Sequence, residues 1–144
     1  MDLMAVMREE FDLDPVDIRS YSPLTLAYIG DGIYELVIRS LLVGQGNTQA
    51  NKLHKKASSM VNAAAQSAMI ERIKGELTEE ELHVFKRGRN ANSATMARHA
   101  TMSDYRRATG FEALMGYLYL SGKMERLFEL VKLGLEEPIC DTKN

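Results

Sequence analysis

Two acidic residues lie in stretches of the sequence that are otherwise largely apolar. Asp31 belongs to Leu24–Leu36, which reads LTLAYIGDGIYEL, and Glu112 is the only charged residue in Phe111–Leu120, which reads FEALMGYLYL. If both stretches are helical, no Lys or Arg stands three or four residues from either acid. Because a buried carboxylate without a cation is costly, these two acids are the first candidates for chemistry.

Two carboxylates that converge from separate helices could bind Mg²⁺, which takes one or two protein carboxylates and keeps several waters. Such an ion could activate water against a phosphodiester. Small residues beside the acids would let the helices approach closely: Gly30, Gly32, Ala113 and Gly116. The alternative is that each acid is structural and pairs with a distant base such as Arg39 or Arg107. From these residues alone the structural alternative is favoured, and an acid–base pair without metal is the weakest of the three.

A third acid, Glu35, follows Asp31 by four residues, so both project from one face of a helix. Glu35 could act as a base beside the metal or as an outer ligand. An ordinary charge at the rim of the core is the slightly favoured interpretation.

The elements that position these acids are predicted to be helices throughout, because no segment shows the alternation that demands a strand. Capping and stop signals predict helices over about residues 22–43, 48–74, 78–88 and 103–120, and a last helix that ends before Pro138. Ser22 with Pro23 opens the first helix, and Ser103 or Asp104 is expected to cap the fourth. The first helix is apolar around most of its circumference, which predicts that it is buried and Asp31 with it.

The length of 144 residues fits a single domain, 1–144, with an acidic N-terminal segment over 1–20 and a flexible tail over 137–144. No apolar run reaches the length of a membrane span, so no membrane association is expected. One cysteine, Cys140, excludes an intrachain disulfide and suits a cytoplasmic location. The three histidines have no second cysteine near them, which argues against structural zinc.

The net charge of −2 conceals a basic stretch. The window Lys86–Arg107 contains six Lys and Arg residues and one acid, Asp104. A patch of one sign matters more to a polyanion than the total charge does. A basic run alone, however, is more often a solvated surface than a nucleic-acid site.

Four motifs together resemble one known family. The segment Tyr28–Glu35, YIGDGIYE, resembles the signature helix of the ribonuclease III family, and Phe111–Tyr117, FEALMGY, resembles its second acidic helix. The closer resemblance is to the Mini-III ribonucleases, which lack the double-stranded-RNA-binding domain; Leu53–Val61 and Lys86–Ala91 also look like that group. The motifs occur in the expected order and spacing, and the likeness extends from about residue 24 to about residue 130.

The resemblance implies an all-α, ribonuclease III endonuclease-domain-like helical bundle that works as a homodimer. It further implies a Mg²⁺-dependent endoribonuclease that cuts double-stranded RNA and leaves 5′-phosphate and 3′-hydroxyl ends. The implied substrate is the precursor of large-subunit (23S) ribosomal RNA, and a ribosomal protein is a further candidate partner. Asp31 and Glu112 match the family's metal-binding catalytic acids.

Three positions depart from the pattern of ordinary ribonuclease III. Acids of that pattern align with Ala27 and Thr109, and a further one aligns near Lys52. Two carboxylates remain, which is enough for one Mg²⁺. The departures support an alternative, a catalytically inactive RNA-binding or ribosome-associated module on the same fold. A second alternative, an unrelated helical dimer with structural acids, predicts that Asp31→Asn is neutral or stabilising.

Without an added RNA-binding domain, basic and polar residues of the domain itself must contact RNA phosphates. The candidates are Lys52, Lys55, Lys56, Lys86, Arg87, Arg89 and Asn90. Gly88 is expected to form a turn with Arg87, Arg89 and Asn90 in which the backbone can approach a phosphate.

Overall fold

The computed structural model describes residues 2–91 and 101–135, and within these ranges it contains α-helices and no strands. The α-helices are α1 (Leu3–Phe11), α2 (Pro23–Val43), α3 (Ala50–Val61), α4 (Ala63–Ile73), α5 (Glu79–Arg89), α6 (Met102–Leu120) and α7 (Met124–Gly134). Short 3₁₀ helices cover Ile18–Ser20 and Lys74–Glu76. The prediction of an all-α fold is therefore confirmed for the described part of the chain.

Side-chain caps fix the starts of α2 and α5, as predicted. The Ser22 hydroxyl accepts a hydrogen bond from the Thr25 backbone N–H at 3.1 Å, with proline in the first turn. At α5, Thr78 accepts from the Glu81 N–H at 3.1 Å, while the Glu81 carboxylate accepts from the Thr78 N–H at 2.9 Å. This reciprocal pair satisfies two backbone donors that the helix itself leaves free.

Two predicted helix boundaries are wrong. The single helix expected over 48–74 is two helices, because Asn62 adopts extended backbone angles (φ −73°, ψ 167°) and caps α4 by accepting from the Ala65 N–H at 2.8 Å. The start of α6 is capped by Thr101, whose hydroxyl accepts from the Asp104 N–H at 3.0 Å. Ser103 and Asp104 therefore lie inside the first turn.

Helix α1 was not predicted as a separate element, and none of its residues is buried. Asp2 caps its start, and Asp12, a non-glycine residue with a positive φ of 55°, caps its end. The predicted flexible tail over 137–144, with Cys140, and the middle of the basic window lie outside the described residues.

Helix α6 forms the centre of the bundle, and α2, α4 and α5 pack around it. Every residue from Ala108 to Tyr119 is buried except Glu112. Tyr34 of α2 meets Phe111 of α6 edge to face, with ring centroids 4.9 Å apart. Glu112 is the one charged residue within this buried stretch.

Glycines set the close approach of α2 to α6. A β-carbon added at Gly30 would collide with the backbone of Glu112, and one at Gly116 would collide with the backbone of Leu26. Ala113 is also buried at this level, whereas Gly32 has nothing within 4 Å of its β-position. The prediction that small residues let the two helices approach is confirmed for Gly30 and Gly116.

The prediction that α2 is buried around most of its circumference is wrong for the single chain. One side packs on α6, and the other side exposes a row of apolar side chains: Leu24, Tyr28, Leu36 and Val43. Tyr28 is 81% exposed. Asp31 lies on the exposed part of the helix as well, so it is not the buried carboxylate that the sequence predicted. No helix in the described ranges is long and apolar enough to cross a membrane.

Candidate active site

The crossing of α2 and α6 brings the Asp31 and Glu112 carboxyl groups together. Glu112 is half-buried and Asp31 is exposed, and the two carboxyl groups are within hydrogen-bonding distance of each other. The pKa of Glu112 is raised to about 8, mainly by burial and also by the nearby Asp31 carboxylate, which repels its charge and accepts its hydrogen bond. Like charges that share a small site cannot both ionise easily, so without a cation the pair holds a proton at neutral pH.

The basic residues that could have neutralised these acids are engaged elsewhere. Arg39 pairs with Glu35 at 2.7 Å, and Arg107 lies 3.5 Å from Glu71. Among the described residues, no ion pair includes Asp31 or Glu112. The structural alternative in which Arg39 or Arg107 neutralises the acids is therefore wrong for the described part of the chain. Glu35 is partly exposed, and its carboxylate is paired with Arg39, one helical turn further along α2.

A second inward-facing carboxylate, Glu81, shows what a structural acid looks like in this fold. It is 5% exposed, and Arg126 donates a hydrogen bond of 2.9 Å to each of its two carboxylate oxygens. These bonds hold the pKa of Glu81 below its usual range, although burial acts in the opposite direction. The contrast is direct: Glu81 has a dedicated guanidinium, whereas Glu112 has only another carboxylate and an amide beside it.

That amide belongs to Gln66 of α4, which the sequence analysis did not single out. Gln66 is 1% exposed, and its Nε2 donates to the backbone carbonyl of Val61 at 3.1 Å. Its side chain also lowers the pKa of Glu112, as expected of a donor that favours the charged carboxylate. Its Oε1 is buried and has no hydrogen-bond partner. No local signal marks an uncharged glutamine in the alanine-rich segment Ala63–Ala68.

The donor set fits one Mg²⁺. Asp31 and Glu112 supply hard carboxylate oxygens, and a cation would offset the burial and the repulsion that raise the pKa of Glu112. Within residues 2–91 and 101–135 no group of three or more His, Cys, Asp or Glu side chains could hold a metal. The two positions where ordinary ribonuclease III has further acids supply no carboxylate here. Ala27 is buried and apolar, and the buried Thr109 hydroxyl donates to the Tyr105 carbonyl at 3.0 Å.

The predicted RNA-binding residues lie on two separate surfaces. Lys52 and Lys56 line a cavity of about 300 Å³ beside the loop that follows α2, and Lys55 is exposed next to them. Lys86 and Arg87 are exposed on α5. Arg89 and Asn90 line a different cavity, of about 390 Å³, between the end of α5 and the start of α6.

Gly88 does not form the predicted turn. It is buried inside α5, where an added β-carbon would lie 2.8 Å from Ala113 Cβ and 2.9 Å from Gly110 Cα. The role of Gly88 is therefore close packing of α5 on α6. Arg89 follows it, with its guanidinium 5.6 Å from the Phe85 ring centroid and its Nε bound to Asn90 Oδ1 at 3.1 Å.

The second cavity includes basic residues that the sequence analysis did not select: Lys74, Arg106 and Arg107. Glu71 lies 3.5 Å from both Lys74 and Arg107 and offsets part of their charge. Arg106 and Arg107 were visible in the basic window, but Lys74 precedes that window and joins it only in the fold. The cavity is thus a concentrated positive surface at the C-terminal end of α4.

Comparisons with known proteins agree with this geometry. A ribonuclease III domain model matches residues 24–123. The chain is 52% identical to Mini-ribonuclease 3 of Clostridium tetani over 81% of this chain and 78% of that protein, and 46% identical to Mini-ribonuclease 3 of Brevibacillus brevis over 88% and 92%. A crystal structure of a protein from Fusobacterium nucleatum superposes with a TM-score of 0.74 at 37% identity, covering 81% of this chain and 93% of that one. The chain therefore belongs to the ribonuclease III family of endoribonucleases, in the Mini-ribonuclease 3 group.

Proposed function

We propose that this chain cuts double-stranded RNA with Mg²⁺ held by Asp31 and Glu112. The observation that carries the proposal is the convergence of these two carboxyl groups at the α2–α6 crossing without a cation among the described residues. The paired Glu81–Arg126 shows that a structural carboxylate in this fold is neutralised by arginine. The unneutralised pair is instead a place for a positive ion.

The two acids have different positions and therefore different tasks. Asp31 is exposed and can be reached by a phosphodiester at the surface. Glu112 is partly buried and is hydrogen-bonded to Gln66. When bound, Mg²⁺ supplies a Lewis acid that stabilises charge on the phosphate and lowers the pKa of water. Two carboxylates leave the remaining positions of the ion to water and to substrate oxygens. Cleavage is proposed to leave 5′-phosphate and 3′-hydroxyl ends.

The exposed face of α2 is proposed to be the homodimer interface. Leu24, Tyr28, Leu36 and Val43 are 39% to 81% exposed and follow one side of the helix. Gly32 lies within this row with open space at its β-position, so a partner helix could approach there. Contiguous exposed apolar surface of this kind marks an interaction site. Since Asp31 is on the same exposed part of α2, dimerisation would place the two active sites beside one interface.

RNA contacts are proposed for basic and polar residues on both surfaces. Double-stranded RNA is recognised mainly through its shape, its phosphates and its 2′-hydroxyls, so cations around the carboxylate site suit it. The predicted set is Lys52, Lys55, Lys56, Lys86, Arg87, Arg89 and Asn90. We also propose that the substrate is a 23S ribosomal RNA precursor in the cytoplasm, with a ribosomal protein as a partner.

A second candidate function follows from the missing acids. With Ala27 and Thr109 in place of carboxylates, the fold could bind RNA without cutting it. Retention of both Asp31 and Glu112 in contact favours the enzyme, because a binding module has no need for an unneutralised acid pair.

The test is cleavage of a long double-stranded RNA by purified protein in Mg²⁺ and in EDTA. Asp31→Asn and Glu112→Gln should each lower the rate by roughly a thousandfold, equivalent to about 4 kcal/mol of transition-state stabilisation. Glu125→Gln, at an exposed carboxylate of α7, is the matched control and should cut normally. Binding by the wild-type protein without Mg²⁺-dependent cleavage would instead support the binding module.

A further inference from the structure

We infer that Gln66 is a positioning residue that fixes the Glu112 carboxylate for metal binding and presents its own Oε1 to water in the same site. The inference rests on the proposed function, because it concerns how the fold prepares Glu112 for an ion. It adds to the two acids a neutral residue from a third helix, α4.

The orientation of the Gln66 amide is fixed by the backbone. A glutamine amide carries two donor hydrogens on Nε2 and one acceptor, Oε1. The carbonyl of Val61, the last residue of α3, can only accept, so Nε2 must face it across the 3.1 Å contact. The break between α3 and α4 at Asn62 is what leaves Gln66 next to this carbonyl.

One donor hydrogen of Nε2 remains, and Glu112 is the group that uses it. The Gln66 side chain forms a hydrogen bond with the Glu112 carboxyl group. Helix α4 packs along α6, and Gln66 is 1% exposed, so this donor does not form a hydrogen bond with bulk water instead. A carboxylate held by a fixed donor keeps one oxygen directed away from that donor and available to a ligand.

The Oε1 atom is the part of Gln66 that internal structure does not explain. It is buried without a hydrogen-bond partner, and a buried polar atom left unsatisfied costs about 1–3 kcal/mol. An apolar side chain would avoid this cost if Gln66 served only to fill the core. Mg²⁺ keeps several waters, each of which donates hydrogen bonds, and Oε1 is an acceptor suited to one of them. Groups that orient ligands in this way contribute to metal affinity.

The neighbouring polar residues do not take this role. Arg107 reaches two other residues of α4, Ser67 Oγ at 3.4 Å and Glu71 at 3.5 Å, and forms no ion pair with Glu112. Among the described residues, Gln66 and Asp31 are the side chains that act on the Glu112 carboxyl group electrostatically. Gln66 therefore positions Glu112 from a third helix, α4.

The test measures ion binding without RNA, with Mn²⁺ as a probe because it accepts the same oxygen ligands as Mg²⁺. Electron paramagnetic resonance of free Mn²⁺ gives the dissociation constant of the full-length protein and its variants. Gln66→Met keeps the volume and removes both hydrogen-bonding groups, and it should weaken binding by about tenfold or more. Gln66→Asn, which keeps the amide but shortens it, should weaken binding less than Gln66→Met does.

Thr78→Ala is the matched control, since it removes the side-chain cap of α5 and costs about 1 kcal/mol of stability at a helix that carries neither Gln66 nor Glu112. It should leave Mn²⁺ affinity unchanged; an equal loss in this variant would mean that Gln66 acts only through stability and would overturn the inference. Wild-type affinity in Gln66→Met overturns it too, and if that variant does not fold, wild-type affinity in Gln66→Asn does so. If the wild-type protein itself binds no Mn²⁺, or if Glu112→Gln binds it equally well, the proposed metal site fails before the question of Gln66 arises.

Discussion

Gly30 of α2 lies so close to the backbone of Glu112 in α6 that no β-carbon could fit between the two helices. One turn along the crossing, Gly116 meets the backbone of Leu26 in the same way. Asp31 follows Gly30 directly in the chain, so the contact that joins the helices also sets the distance between the two acids. The active site is therefore built on the backbone crossing itself and not on flexible side chains.

Replacing either crossing glycine should damage stability and activity together. In Gly30→Ala and Gly116→Ala the new methyl group meets main-chain atoms that cannot move aside, and overpacking of this kind costs about 1–3 kcal/mol or more. Urea unfolding measures the loss. Gly75→Ala is the control, because nothing lies within 4 Å of its β-position; it should change stability by less than about 1 kcal/mol. Equal stability of all three variants would contradict the close crossing.

The sequence was sufficient to predict α2, α5 and the pairing of Asp31 with Glu112. Caps at Ser22 and Thr78 are local signals that need no tertiary context. The acid pair could be found because charges within apolar helices demand a partner, and the glycines indicated where two helices approach.

The errors came from features that local patterns do not distinguish. The sequence pattern of an apolar helix face is the same whether that face packs inside the chain or against another chain. The exposure of Asp31 could therefore not be predicted. A glycine among basic residues is typical of a turn, but Gly88 lies within α5 and lets that helix pack closely against α6. Gln66 carries no charge, and its importance depends on Glu112, which only the fold brings near.

The raised pKa of Glu112 predicts an unusual pH dependence for the metal-free protein. Its value is about 8 in the folded chain against 4.5 for an unperturbed group, so between these values the folded state binds the extra proton. Stability from this group is complete below about pH 4.5 and falls as pH rises to about 8. In EDTA, Glu112→Gln should therefore gain thermal stability over the wild-type protein as pH rises from 5 to 9.

Thermal unfolding at a series of pH values gives this result directly. Saturating Mg²⁺ should reverse the order at pH 9, because an ion that binds only the folded wild-type site stabilises it. Glu125→Gln, at an exposed carboxylate, should follow the wild-type curve throughout. A Glu112→Gln difference that does not change with pH would contradict the shifted titration.

Breaking the Glu81–Arg126 pair should cost stability without affecting metal binding. Arg126→Met leaves the Glu81 carboxylate, which is 5% exposed, without its two hydrogen bonds, and removing one partner of a buried pair costs about 3–5 kcal/mol. Chemical unfolding measures the loss. The double variant Glu81→Gln with Arg126→Met also removes the unpaired charge and should recover part of the lost stability. Mn²⁺ affinity should stay at the wild-type value in both, since neither residue borders Glu112.

Dimerisation through the exposed face of α2 can be tested with one charge. Tyr28 is 81% exposed in the single chain, and Tyr28→Glu would bury an unpaired carboxylate in the proposed interface. Sedimentation should show a dissociation constant at least a hundredfold higher, about 3 kcal/mol of lost association energy. The monomer should keep its helical content, because Tyr28 lies outside the buried core of the single chain.

Phe128→Glu separates this effect from a general response to surface charge. Phe128 is also a large exposed aromatic residue, 51% exposed on α7, and α7 packs against α4 and α6, away from the open face of α2. A charge at Phe128 should leave the dimer intact. If Tyr28→Glu has no effect and Phe128→Glu dissociates the dimer, the interface lies on α7. The two Asp31 side chains would then not be held beside a common interface, and the proposal that both active sites act on one RNA duplex would lose its structural basis.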